Sequence, residues 1–241
     1  MIVLLTGMGR SGSTWAFNVA KALLSRETRA ITGEYNTAVG EAIAALDPRV
    51  EHHLIKAHMV DRIGHMLIRH RMCRTICTWR EPLDCIASSL EAFGSAFATT
   101  VALAQAGLAF LDLQSREGGI LFIAYDDLVG RPHDIIGAIG RYLGCPPDDD
   151  EVRRIAELFS KDNVARFADK LERTTDARGG SAGWDRDTLL YPGHVRAQPS
   201  RLEQLVTPDQ LRDVIAALAP YVDAHGRLAS DLKQRLTSAA P

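Results

Sequence analysis

An apolar stretch, Ile2-Val3-Leu4-Leu5, runs directly into Gly7-Met8-Gly9-Arg10-Ser11-Gly12-Ser13-Thr14-Trp15. A strand, a glycine-rich turn and a helix start in that order form a phosphate cradle, because the backbone N–H groups of the turn and of the helix N-terminus converge on one point. Gly7 and Gly12 have four residues between them and a hydroxyl follows at Thr14, which is the P-loop frame, yet Ser13 stands where the triphosphate-binding lysine belongs. Arg10 is the only cation in the loop. The expectation is a nucleotide held by main-chain N–H groups with no lysine reaching a γ-phosphate, so the group carried is not a γ-phosphoryl.

The rest of the chain repeats the strand–helix rhythm. Apolar runs at Ile2 to Thr6, His53 to Ala57, Thr75 to Trp79 and Ile120 to Tyr125 are bounded by turn or charge signals and separated by helical patterns. This predicts an α/β fold of three layers, a central parallel sheet with helices on both faces. Trp15, Val19 and Leu23, flanked by Ala16, Ala20 and Leu24, bury the first helix. Ala96 to Leu113 reads as a scaffold helix without a candidate site. Pro132 opens a helix with Ile135, Ile136, Ile139 and Leu143 inward, and Gly144 before Cys145-Pro146-Pro147 stops it. Asp148, Asp149 and Asp150 suit the start of the next helix as capping charge rather than as metal ligands. The glycine- and proline-bearing stretch 174–200 reads as a lid loop. Thr207-Pro208-Asp209-Gln210 is a capping box ahead of Leu211, Val214, Ile215 and Leu218. The whole of 1–241 is expected to form one domain.

Composition narrows the partners. The 241 residues carry a formal charge of −2, so neither nucleic acid nor another long polyanion is expected as a partner. Without a charged, apolar leader or a membrane-spanning run, the expected location is the cytoplasm. Cys73, Cys77, Cys85 and Cys145 form no CxxC pair and read as reduced thiols. His65, His70, Cys73 and Cys77 also lack metal-ligand spacing, so no metal is expected.

Two further constellations fall at the carboxyl ends of predicted strands, where open α/β sheets gather ligands. Lys56 and His58, two apart, point to the same side. Together they supply a base for an acceptor proton and an ammonium for charge developing on a leaving phosphate. Taken alone, His58 reads as an ordinary packed or surface histidine. Arg80 ends a strand, Pro82 opens a helix, and Ser88 lies two turns into it, so guanidinium and hydroxyl can bracket one phosphate. The plainer reading of Arg80 is an ion pair with Glu81 or Asp84.

These stretches together resemble the sulfotransferase family that uses 3′-phosphoadenosine 5′-phosphosulfate (PAPS). Arg10-Ser11-Gly12-Ser13-Thr14-Trp15 is similar to the family's 5′-phosphosulfate loop, with Arg10 in place of the common lysine and Trp15 as the residue that stacks on adenine. Arg80 and Ser88 resemble its 3′-phosphate pair, and Lys56 with His58 its charge-stabilising lysine and base. Phe122-Ile123-Ala124-Tyr125-Asp126-Asp127-Leu128 is similar to its YEDL segment, which implies Tyr125 beside adenine. Gly193-His194-Val195-Arg196 stands near the family's RKG element, which implies Arg196 as a further 3′-phosphate ligand.

The resemblance implies in-line transfer of a sulfuryl group from PAPS to an acceptor hydroxyl, less readily an amine, leaving 3′-phosphoadenosine 5′-phosphate (PAP), with no metal. Gly9, Arg10, Ser11, Gly12, Ser13, Thr14, Trp15, Arg80, Ser88, Tyr125 and Arg196 would hold the nucleotide. His58, Lys56 and Arg10 would carry the chemistry. The expected acceptor is a small molecule, a lipid or a terminal sugar. Two other readings stay open: a divergent P-loop nucleotide kinase or phosphotransferase with Thr14 on Mg²⁺, and a nucleotide-binding module without catalysis.

Overall fold

The computed structural model describes residues 1–171, 185–191, 201–221 and 226. Five parallel strands, β1 (Ile2–Gly7), β2 (Ile31–Tyr35), β3 (His52–Lys56), β4 (Arg74–Trp79) and β5 (Ile120–Ala124), pair in the order β2-β3-β1-β4-β5. The helices are α1 (Ser13–Leu24), α2 (Val39–Ala44), α3 (Arg62–Arg69), α4 (Pro82–Phe93), α5 (Phe97–Ser115), α6 (Tyr125–Gly130), α7 (Pro132–Leu143), α8 (Asp149–Leu158) and α9 (Lys161–Ala168), with a further helix over 208–221. Alternation along β1 divides the core. Val3 and Leu5 face α1, α7 and α8 through Ala16, Phe17, Ile136, Ile139 and Ile155, while Leu4 faces the opposite layer with Val39, Ile68 and Phe110. Helices on both faces of a parallel sheet are the architecture that the four apolar runs predict.

Several local signals act as the residue chemistry dictates. Gly144 ends α7 in the left-handed region at φ 85°, Asp148 caps α8 by accepting from the Glu151 N–H at 2.9 Å, and Thr207 with Gln210 closes a reciprocal capping box at 2.9 and 3.2 Å.

The structure corrects the sequence reading in three places. The edge strand β2 has no apolar run, because Gly33 and Glu34 interrupt it. Gly33 is required there, since a Cβ would lie 2.5 Å from the ring of Phe17. Tyr125 does not end a strand but opens α6. In the helix after the capping box Ile215 is 53% exposed, while Val214 and Leu218 carry the contact with α4 and α5. Finally, α5 is long and apolar enough by length and composition to cross a bilayer, against the expectation of no such run. Here it packs Val101, Ala104, Leu108 and Leu111 against α4 and its neighbours. Of the expected lid, 185–191 is described; Arg196 lies outside the described residues.

Candidate active site

Parallel strands that run the same way deliver their carboxyl ends to one edge. With β3, β1, β4 and β5 adjacent in the sheet, Lys56, Gly7, Trp79 and Ala124 end side by side, and the loops that follow meet above them. A cavity of about 1080 Å³ opens there. Gly9, Arg10, Gly12, Ser13, Thr14, Trp15, Lys56, His58, Arg80, Ser88 and Tyr125 all line it. Ser11 does not: its hydroxyl is buried against the Met8 carbonyl at 2.6 Å and the Thr78 hydroxyl at 2.7 Å, so it ties the loop to β4.

The loop is shaped by backbone requirements. Gly7 has φ +124° and Gly12, the N-cap of α1, has φ +90°. A Cβ on Gly12 would also sit 2.8 Å from Leu128 Cδ1. Arg10 holds a left-handed φ of 66°, uncommon for a side chain with a Cβ and a mark of a constrained site. At Gly9 a Cβ would meet nothing within 4 Å among the described residues.

Arg10, rather than Arg80, binds Ser88: its Nε donates to Ser88 Oγ at 2.9 Å, and Nη1 donates to Tyr191 Oη. The guanidinium lies 5.7 Å from the ring centres of both Phe93 and Tyr191. Arg80 comes to the same place from β4. Its Nη1 reaches the Arg10 carbonyl at 3.5 Å, and its guanidinium covers the Tyr125 ring at 4.1 Å. The ion pair with Asp84 at 3.3 Å also forms, as the plainer reading of Arg80 expects. Its Nε is buried without a hydrogen-bond partner among the described residues, a donor poised for an incoming acceptor.

Lys56 is only 2% exposed. Burial first, and then the positive charge of Arg10, lower its pKa to about 8. His58 Nδ1 lies 3.2 Å from the Gly7 carbonyl. A carbonyl only accepts, so Nδ1 carries the proton and Nε2 keeps a free lone pair. Burial, followed by the charge of Lys56, lowers the His58 pKa to about 3, and the imidazole is neutral at physiological pH.

Sequence reasoning missed three contributors. Tyr191 belongs to a strap over 185–191 held by Asn18 Nδ2 on the Thr188 carbonyl at 2.8 Å and by Lys21 on Asp187; it meets Arg10 across 181 positions of chain, beyond any local pattern. α5, read as scaffold, supplies Thr100, Leu103, Ala104 and Gly107 to the cavity wall. Phe159 and Ser160, between α8 and α9, line the end nearest Trp15, whose Nε1 donates to the Phe159 carbonyl at 3.1 Å. Among the described residues, no three His, Cys, Asp or Glu side chains gather as metal ligands.

A sulfotransferase-domain profile matches residues 2–181, and the chain belongs to that family. The cradle and the sheet that carries it are thus those of a sulfotransferase. Among solved structures, the fold is similar to mouse sulfotransferase SULT7A1 complexed with PAP, with TM-score 0.64 and 16% identity, covering 95% of this chain and 87% of that one. It is also similar to retinol dehydratase in complex with retinol and PAP, with TM-score 0.62 and 13% identity, over 92% and 81% of the two chains. No curated protein matches the chain.

Proposed function

We propose that this enzyme transfers a sulfuryl group from PAPS to the hydroxyl of a small apolar acceptor, with His58 as base. The observation that carries the reading is the single cavity in which the glycine loop, the pair Arg80 and Ser88, and the pair Lys56 and His58 meet. The amides at the start of α1 and Arg10 would hold the 5′-phosphosulfate, Arg80 with its unpartnered Nε and Ser88 the 3′-phosphate, and Trp15 and Tyr125 the adenine. His58 Nε2 takes the acceptor proton as the acceptor oxygen bonds to sulfur. The sulfur–oxygen bond to the 5′-phosphate breaks, its electron pair stays on PAP, and Lys56 and Arg10 offset that charge. The positions of two cations around the leaving phosphate support transfer without a metal.

We place the acceptor against the part of the cavity lining formed by Met8, Met59, Ile86, Phe93 and Leu103. That lining supports an apolar alcohol, whether a small molecule or a lipid, over a terminal sugar, whose hydroxyls would lose water without replacement bonds. A cytoplasmic location is part of this reading, supported by the four free thiols.

Calorimetry tests the donor site. PAP is expected to bind without metal, and tight Mg-ATP binding with no response to PAP would favour a kinase instead. Arg80→Ala is expected to weaken PAP by about 10- to 100-fold, the usual worth of a charged hydrogen-bonding partner; an unchanged affinity would remove Arg80 from the site. A mass-spectrometric search for added sulfate on apolar alcohols incubated with enzyme and PAPS then identifies the acceptor.

A further inference from the structure

β2 ends at Tyr35, directly opposite Lys56 in the parallel ladder. The Lys56 ammonium lies 5.1 Å from the centre of the Tyr35 ring, and the same ring meets His58 in a T-shaped contact with centroids 5.8 Å apart and planes at 61°. One side chain therefore touches both members of the Lys56 and His58 pair. Tyr35 does not line the cavity, so it acts through them.

We infer that Tyr35 is a positioning residue for sulfuryl transfer, its ring capping the buried ammonium of Lys56 and bracing His58 from the side away from the substrate. The inference rests on the proposed role of Lys56 and adds the group that keeps that lysine charged and aimed. An ammonium at 2% exposure has lost its water, and among the described residues no carboxylate pairs with it. The groups that face it are Arg10 from the loop after β1, His58 on its own chain segment and the Tyr35 phenol from β2; its neighbour on β1 is Leu5. Arg10 opposes the charged form and a neutral imidazole does little for it. The π face of Tyr35 is the group that favours it, and such contacts are strongest where water is excluded.

The direction follows. Replacing the ring by an apolar side chain of similar bulk lowers the Lys56 pKa from its value of about 8, by about one unit. At pH 7.5 the charged fraction then falls about threefold. The test titrates Lys56 directly, by NMR of protein labelled with ¹³C-lysine, with the Lys56 signal assigned by its loss in Lys56→Arg. Tyr35→Leu is expected to shift the midpoint down by about one unit, Tyr35→Phe to leave it in place, and Tyr35→Trp to hold or raise it. A midpoint common to all four proteins overturns the inference; with Tyr35 half-exposed, Tyr35→Phe and Tyr35→Trp remain informative should Tyr35→Leu fold poorly.

A second arm follows transfer from PAPS to 2-naphthol as probe acceptor against pH. The alkaline limb of kcat/KM moves to lower pH in Tyr35→Leu and stays in Tyr35→Phe. If Lys56→Ala transfers at the wild-type rate while the NMR midpoints still separate, the contact is real and the role given to Lys56 is wrong. If the NMR midpoints coincide while Lys56→Ala is inactive, the role stands and Tyr35 is excluded from it.

Discussion

His58→Ala lowers kcat for sulfuryl transfer by about 10² to 10⁴, the usual worth of a positioned general base, while PAP affinity is retained because the loop and Arg80 are untouched. Equal, background-level turnover in wild type and variant would favour a nucleotide-binding module without catalysis, and equal turnover well above background would remove His58 as the base. The pH behaviour is distinctive. With a pKa of about 3 in the free enzyme, set by burial and by the charge of Lys56, the imidazole is already neutral across the physiological range. The profile of kcat/KM therefore shows no acid limb near the ordinary histidine value of 6.5. In the proposed site, PAP would place negative charge beside Lys56 and Arg10 and raise the His58 pKa, so by linkage PAP is expected to bind more tightly as pH falls. The same shift sets a stability trend. Below pH 6.5 the unfolded chain takes up a proton that folded His58 refuses, so this contribution to stability is full above 6.5 and is lost as pH falls toward 3. Thermal melts at pH 7.5 and 5 should show a larger drop for wild type than for His58→Ala.

Gly7→Ala is expected to disrupt the fold rather than tune the site. Gly7 pairs with Thr78 across β1 and β4 at φ +124°, and a Cβ there would lie 2.0 Å from the Thr78 carbonyl oxygen and 2.8 Å from its nitrogen. Both obstacles are backbone atoms of the neighbouring inner strand β4, so nothing flexible can give way. The combined strain and clash should cost about 4 kcal/mol or more, a fall in Tm of about 8–16 °C for a domain of this size. PAP binding is lost with it, since the loop hangs from that strand end. Gly9→Ala is the contrast: with no atom of the described residues within 4 Å of the added methyl, its melting temperature is expected to stay near wild type. A weakened PAP affinity in that variant would show that the ligand, not the fold, needs Gly9 bare. A Gly7→Ala protein that melts within a degree or two of wild type would contradict the backbone geometry.

The two variants mark what is readable from a chain alone. Glycine's access to positive φ and the Pro82 and Thr207 helix starts are properties of a few consecutive residues. They do not wait for packing. β3, by contrast, ends at Lys56, and His58 is placed by the bend that follows, not by strand alternation. β2 escaped because an edge strand holding Gly33 and Glu34 has no apolar pattern; its position depends on the ring of Phe17 filling the space above Gly33. Ser11 shows what loop position leaves open. Its place in the loop looks functional, yet folding turns its hydroxyl inward to Thr78.

The sequence by itself determined the cradle, the fold class and the chemical groups at three strand ends, since each rests on local backbone freedom and side-chain period. Tertiary structure alone decided which of those groups touch. Arg10 takes Ser88 and Tyr191, Tyr35 caps Lys56, and α5 walls the cavity, because contacts between residues far apart in the chain are chosen by strand order and by the competition of every buried surface for a partner, neither of which any short stretch encodes.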